Sequence, residues 1–263
     1  MADPGPHTGP APAAPALSAA RTYRLRLAWD GTDLHGWQIQ PGAPTVQGTL
    51  LDAARRLFQG RVRIVGASRT DAGVHAMGQV VALTAESAFP PATVQAALNA
   101  HLPRQIRVIA ADAAPAGFDA RRAARGKRYL YVVDNGPVAS PLMLRWAWHV
   151  PTALDMDAMR TALAALRGRH DFAAFCAAPG RDADPVCWVR ALHVRRRRAL
   201  VALTISADRF LHHMVRTIVG SAVEVGRGAR APEWLAEVLA GRDRGRAGPT
   251  APAHGLFLVR VLY

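Results

Sequence analysis

Arg69-Thr70-Asp71-Ala72-Gly73-Val74-His75-Ala76 is the stretch on which the reading of this chain turns. It sets one carboxylate among small residues, directly after Val62-Arg63-Ile64-Val65-Gly66 and before Gln79-Val80-Val81-Ala82-Leu83. Both flanks are apolar or alternate at strand length, so the octapeptide is predicted to turn between two strands with Asp71 on a rigid loop. A carboxylate fixed in this way can serve as nucleophile or as base. An isolated Asp-x-Gly more often only hydrogen-bonds its own turn, so the rest of the chain has to decide between the two.

Outward from that loop, the N-terminal half reads strand, helix, strand, strand, helix, strand. Tyr23 to Trp29 alternates as a half-buried strand, and Thr45 caps a helix with Val46, Leu50, Ala53, Ala54 and Leu57 on one face. A second helix is predicted from Pro91 to Leu102 and a strand from Gln105 to Ala110. The second half repeats the order loosely. Lys127 to Asp134 is strand-like, and Asp155 to Leu166 helical. Trp188 to Arg195 and Leu200 to Ser206 form a hairpin joined by basic residues, and helices follow near Leu211 to Val225 and Pro232 to Ala240. Leu256 to Leu262 closes as a strand. The expected fold class is α/β in the α+β sense, with antiparallel-dominated mixed sheets flanked by helices. Three segments are expected: a disordered Pro/Ala-rich tail over 1–20, an N-terminal domain over 21–114 that carries the Asp71 loop, and a C-terminal domain over 118–263.

Charge narrows the function. The 263 residues include 33 basic against 19 acidic side chains, a formal charge of +14 with a pI near 11.4, and such a surface attracts polyanions, nucleic acid above all. Lys127 is the only lysine; arginine stacks on bases and forks onto phosphates, so the skew suits an RNA partner. No apolar run reaches the roughly eighteen residues of a membrane span, and the first twenty residues lack the basic start and unbroken apolar stretch of a signal peptide. Cys176 and Cys187 are too few for a disulfide framework and read as reduced thiols of a cytoplasmic protein. His212 and His213 are adjacent, which on a helix sends them to different faces, so no metal site is expected.

The stretches Trp29-Asp30-Gly31-Thr32, His35-Gly36-Trp37-Gln38, Arg69 to Ala76, Lys127-Arg128-Tyr129-Leu130-Tyr131, Phe210 to Gly220 and His254 to Val259 stand in an order that resembles the tRNA pseudouridine synthase A family. Ser68 stands where that family more commonly has Gly, Trp29 where Tyr is usual, and Asp119 where His is frequent. The resemblance implies the pseudouridine synthase fold, two α/β domains meeting at a basic cleft, and a homodimer. It implies isomerisation of uridine to pseudouridine in the anticodon stem-loop of tRNA, at positions 38, 39 and 40, without cofactor or metal.

That reaction breaks the bond from ribose to N1, turns the uracil, rejoins it through C5 and releases the C5 proton. Every atom is already in the substrate. A stacked base hides these atoms, so the nucleotide must be flipped out at a cost of a few kcal/mol, which contacts to phosphates can offset. By resemblance, Asp71 is the catalytic carboxylate and Arg216 the cation paired with it; a neighbouring cation favours the charged form of a carboxylate in a site otherwise too dry for it. Attack at C1′ of ribose, attack at C6 of uracil and abstraction of a ribose proton all need the same anion in nearly the same place. By resemblance too, Tyr129 stacks on the flipped uracil, its phenol placed to assist loss of the C5 proton, and Arg69 fills the space that the base leaves. Arg121, Arg122, Arg125, Lys127 and Arg128, with no acid among them, are expected to grip the RNA backbone beside the site. Arg195 to Arg198, at a hairpin tip, serve equally well as phosphate contacts or as ordinary solvated charge. Two other classes compete: a non-catalytic RNA-binding protein, which would not need Asp71, Tyr129 and Arg216 together, and an aspartate-dependent hydrolase, which would place a second carboxylate or metal ligands near Asp71.

Overall fold

The computed structural model describes residues 20–177 and 184–263; the expected tail lies outside the described residues except for Ala20, which opens the first strand. Ten strands and five helices alternate along the chain: β1 (Ala20–Trp29), α1 (Val46–Leu57), β2 (Arg63–Gly66), β3 (His75–Glu86), α2 (Pro91–His101), β4 (Ile106–Ala113), β5 (Gly126–Asp134), β6 (Trp148–His149), α3 (Met156–Ala164), β7 (Gly168–Asp171), β8 (Val186–Arg197), β9 (Leu200–Ala207), α4 (Met214–Gly226), α5 (Trp234–Gly241) and β10 (Leu256–Leu262). All ten strands join one sheet, in the order β4-β1-β3-β10-β5-β9-β8-β7, with β2 paired to β3 and β6 to β5. Among the described residues only the β10–β3 and β5–β6 pairings are parallel. The antiparallel-dominated mixed sheet expected from the sequence is therefore present, and β10 is the strand that joins the two halves of the chain across it.

Alternation along the strands sorts the side chains. Tyr23, Leu25 and Leu27 of β1, Val81 and Leu83 of β3, Tyr131 and Val133 of β5, and Val201, Leu203 and Ile205 of β9 are buried. Register puts them on one face: Tyr23 pairs with Leu83, Leu25 with Val81, Tyr131 with Leu203, and Val133 with Val201. Each such side chain contributes about 1.5–3 kcal/mol by leaving water. In the first half α2 packs on β4 and α1 on β2 and α2, and in the second half α3 packs on β8 with α4 and α5 against it. The helix starts follow local rules. Thr45 Oγ1 accepts from the Gly48 amide at 3.2 Å to open α1, and Asp155 accepts from the amides of Asp157 and Ala158 to open α3.

Between the two groups of helices, a buried histidine ties three loops together. His75 Nδ1 accepts from the Gly31 amide at 2.9 Å, which leaves Nε2 to donate to the carbonyls of Arg145 and His254 at 3.0 and 3.1 Å. Its ring stacks on Phe257 of β10. Burial, the largest effect, pushes the imidazole below its usual 6.5 in spite of Asp30 nearby, so the ring is neutral at neutral pH. Removing it strands a backbone amide and opens a void, and His75→Ala is expected to cost about 2–4 kcal/mol in chemical denaturation. Because the folded-state pKa is depressed, the unfolded chain takes up this proton first as pH falls. The stability gap between wild type and His75→Ala should be full above pH 6.5 and narrow below it.

Candidate active site

The Asp71 loop is built on a clamp. Gln79 of β3 is fully buried, accepts from the Ser68 amide at 3.2 Å and donates to the Ser68 carbonyl at 2.6 Å. From the other side, the His35-Gly36-Trp37 segment lies against the loop, where the Trp37 amide donates to Thr70 O at 3.1 Å and the Gly73 amide to Leu34 O at 3.1 Å. Gly36 has φ +83° and any Cβ there would stand 2.5 Å from Thr70 O, so both its conformation and its closeness to the loop demand glycine. Trp29 anchors the end of the loop by donating from Nε1 to Val74 O at 3.0 Å. These contacts account for two of the sequence stretches that accompany the Asp71 octapeptide.

Arg216 reaches the loop from the first turn of α4. Its Nη1 stands 3.1 Å from Asp71 Oδ2, and its Nε donates to Ala251 O at 2.7 Å. Residues 249–252 form a strap that lies directly on α4, where a Cβ on Gly220 would fall 1.8 Å from Pro249 O. The strap also takes the Tyr131 hydroxyl on Pro252 O at 2.7 Å. Arg216 is thus fixed at both ends of its guanidinium. The Asp71 side chain is 28 % exposed and that of Arg216 15 %, so the carboxylate is partly open to solvent rather than sealed in the dry pocket expected from the sequence.

His212 and His213 also face Asp71, which corrects the expectation that they diverge. They precede α4 rather than lie on it, and their rings stack at 3.8 Å. His213 Nε2 is 3.3 Å from Asp71 Oδ2, and His212 Nε2 is 3.9 Å from Oδ1. Asp71, His212 and His213 offer the one grouping of three metal-ligating side chains among the described residues, with ligand atoms within 4.8 Å. Arg216 already places a cation on the same carboxylate, so the arrangement is that of an ion pair flanked by imidazoles. Nothing short of a structural view would have found the pair, because its convergence depends on a backbone turn at His213. Thr70 Oγ1 and His212 Nδ1 beside the carboxylate are shielded and lack hydrogen-bond partners within the protein.

Tyr129 lies on the helix-covered face of β5, 6 % exposed, its hydroxyl 3.0 Å from Ser68 Oγ and its ring perpendicular to Phe210 at 5.0 Å. Burial, foremost, pushes the phenol up to about 12. It is a neutral hydrogen-bonding group, not a resting phenolate. A base stacking on this ring must take the place of a side chain that now covers it, and Phe210 is in ring contact. Arg69 is exposed at the rim of the loop.

The basic run divides. Arg121, Arg122 and Arg125 are exposed, and Asp119 caps their turn by accepting from the amides of Arg121 and Arg122, both at 2.9 Å. Those bonds hold the Asp119 carboxyl below its ordinary value. Lys127 shares the Tyr129 face and is depressed by burial first and by Arg121 and Arg209 next. Arg128 is exposed on the opposite face of β5, where strand alternation places it and its Nε donates to Ser206 Oγ at 3.0 Å. At the β8–β9 hairpin, Arg196 is spent on Asn135 Oδ1 and Leu154 O.

A carboxylate paired with arginine and a buried tyrosine on a mixed sheet fit an RNA-modifying isomerase of the pseudouridine synthase class, and similarity to known proteins shows that class. Residues 28–121 and 162–263 match a family model described as tRNA pseudouridine synthase. A tRNA pseudouridine synthase A of Myxococcus xanthus is 44 % identical over 91 % of both chains, and one of Brevibacillus brevis is 44 % identical over 92 % of this chain and 100 % of its own. Another, of Rhodopseudomonas palustris, is 42 % identical over 92 % of this chain and 98 % of its own. The chain belongs to the tRNA pseudouridine synthase family and acts on tRNA as an isomerase. Among the described residues no helix is long and apolar enough to cross a membrane.

A neutral phenol at position 129 makes a spectroscopic prediction. The alkaline absorbance titration of wild type, minus that of Tyr129→Phe, should isolate one phenol with a midpoint near 12. A midpoint near the ordinary value of 10 would show that the hydroxyl is in water.

Proposed function

We propose that the protein converts uridine to pseudouridine at positions 38, 39 and 40 of the tRNA anticodon stem-loop, by base flipping and without a cofactor, with Asp71 as the catalytic carboxylate. The observation that carries this reading is the 3.1 Å pairing of a partly exposed Asp71 with Arg216, beside the loop to which the buried Tyr129 is hydrogen-bonded through Ser68. Arg216 neutralises and orients the anion, leaving it partly open to a substrate. Nucleophilic attack at C1′, attack at C6 and abstraction of a ribose proton all start from a carboxylate oxygen placed this way. In each, the N1–C1′ bond breaks, C5 bonds to C1′, C5 gives up its proton and N1 gains one. Tyr129 receives the uracil, worth about 1–3 kcal/mol in stacking, and offers a neutral hydroxyl. Arg69 fills the gap in the stem, while Arg121, Arg122, Arg125 and Lys127 take phosphates.

The halves over 21–114 and 118–263 act as two domains that meet at the cleft. Cys176 and Cys187 are both buried, and two cysteines in 263 residues are too few for a disulfide framework, as suits a cytoplasmic protein. A homodimer is supported by the stretch from Val138 to Trp146, where Val138, Leu142, Leu144 and Trp146 are all exposed and Leu142 is 80 % exposed. Large apolar residues crowded on one loop mark a contact surface, and a second copy can meet the same patch about a two-fold axis.

With tRNA tritiated at uridine C5, Asp71→Asn should bind about as well as wild type and release tritium at least about 10²–10⁴-fold more slowly. Near-normal release would refute the role given to Asp71. Replacing both Leu142 and Leu144 by Asp should turn a dimer into a folded monomer in sedimentation. An unchanged sedimentation coefficient would remove this surface from the interface.

A further inference from the structure

Tyr129 and the loop that carries Asp71 are joined by a hydrogen bond between two buried hydroxyls, one from each half of the chain. Tyr129 Oη lies 3.0 Å from Ser68 Oγ. Ser68 Oγ also lies 3.5 Å from Arg69 O, a long contact that only the serine proton can serve, which leaves the phenol to donate to the serine oxygen. Ser68 is itself a fixed point, because the Gln79 carboxamide holds its amide at 3.2 Å and its carbonyl at 2.6 Å. Phe210 packs edge-on against the Tyr129 ring at 5.0 Å. A base that stacks on Tyr129 has to displace whatever covers the face of the ring. The bond to Ser68 survives that exchange, since it grips the ring at its hydroxyl tip, in the ring plane, and leaves the faces free.

We propose that Ser68 is a positioning residue, whose hydroxyl anchors the Tyr129 ring to the backbone of the Asp71 loop while a uracil displaces the packing on that ring; the proposal rests on the reading of Tyr129 as the ring that receives the uracil. Carboxylate and stacking surface then keep one mutual geometry through the reaction, and a loss of such alignment costs rate more than affinity. Glycine, the commoner residue of the family at this position, has no hydroxyl. It leaves a space about the size of one water, and a water there finds two partners in Tyr129 Oη and Arg69 O, the groups that Ser68 Oγ now meets. Alanine supplies neither device, because its methyl stands where the water would sit and bonds nothing.

Tritium release from tRNA and thermal melting of wild type, Ser68→Ala and Ser68→Gly test this. Ser68→Ala should lose about threefold to tenfold in kcat, the size of one neutral hydrogen bond, with KM for tRNA within about twofold of wild type. Ser68→Gly should be faster than Ser68→Ala by about twofold or more, although glycine loosens the chain and should melt lower than alanine. Rate and stability thus run in opposite orders in the two variants, which side-chain size alone cannot produce. A Ser68→Ala enzyme with kcat within about twofold of wild type overturns the proposal. A Gly variant no faster than the Ala variant marks a serine that serves only packing and overturns it too. Tyr129→Leu assayed alongside separates the two readings: near-normal release refutes Tyr129 as the stacking ring, whereas a slow Leu variant with a full-speed Ser68→Ala refutes only the role of Ser68.

Discussion

Everything at the site depends on one ion pair between residues far apart in sequence, Asp71 and Arg216. Its contribution to folding is small. A pair this open to solvent is worth about 1 kcal/mol or less, because water screens the charges and two side chains must be ordered. The scaffold supplies what the pair does not. Gln79 grips the backbone of Ser68 at both its amide and its carbonyl, Gly36 lets the 35–37 segment press on Thr70, and the 249–252 strap holds the guanidinium from behind. The core stabilises the loops, and the loops bring the charges together.

The site also shows how burial is used unevenly. Tyr129 and Tyr131 stand two residues apart on the same face of β5, and burial raises both phenols above their ordinary value. Tyr131 gives its hydroxyl to the strap and is wholly structural in its contacts. Tyr129 shares its hydroxyl with Ser68, on the loop that carries Asp71, so this ring is tied to the carboxylate's own loop. Ser68, which departs from the residue expected at its position, thereby has a physical function.

Much of this was legible in the sequence, for reasons that differ by element. The helix from Thr45 and the strand Leu256–Leu262 were readable because capping and alternation are local. β6 and β7 were not foreseen, since two and four residues carry no periodicity and exist only because neighbours offer them an edge. The predicted start of α4 at Leu211 is three residues early, because the left-handed turn at His213 breaks the helix for the sake of the site. That same turn hid the convergence of His212 and His213. Arg128 was grouped with its neighbours by charge alone, while the period of a strand sends it to the other face. Asp71 was legible as a carboxylate fixed on a loop between two strands, whereas its catalytic role and the choice of Arg216, Tyr129 and Arg69 came from resemblance.

The position of β10 bears on how the molecule is made. It is last of the strands in sequence yet lies in the middle of the sheet, between β3 and β5. On the ribosome, the two flanking blocks of sheet can form as they emerge, each exposing a raw edge, but neither can be joined to the other until residue 262 has been synthesised. A nascent or prematurely terminated chain therefore carries the carboxylate and its arginine without the seam that holds them in register. A chain that stops short of β10 leaves the facing edges of β3 and β5 without the strand that pairs with both.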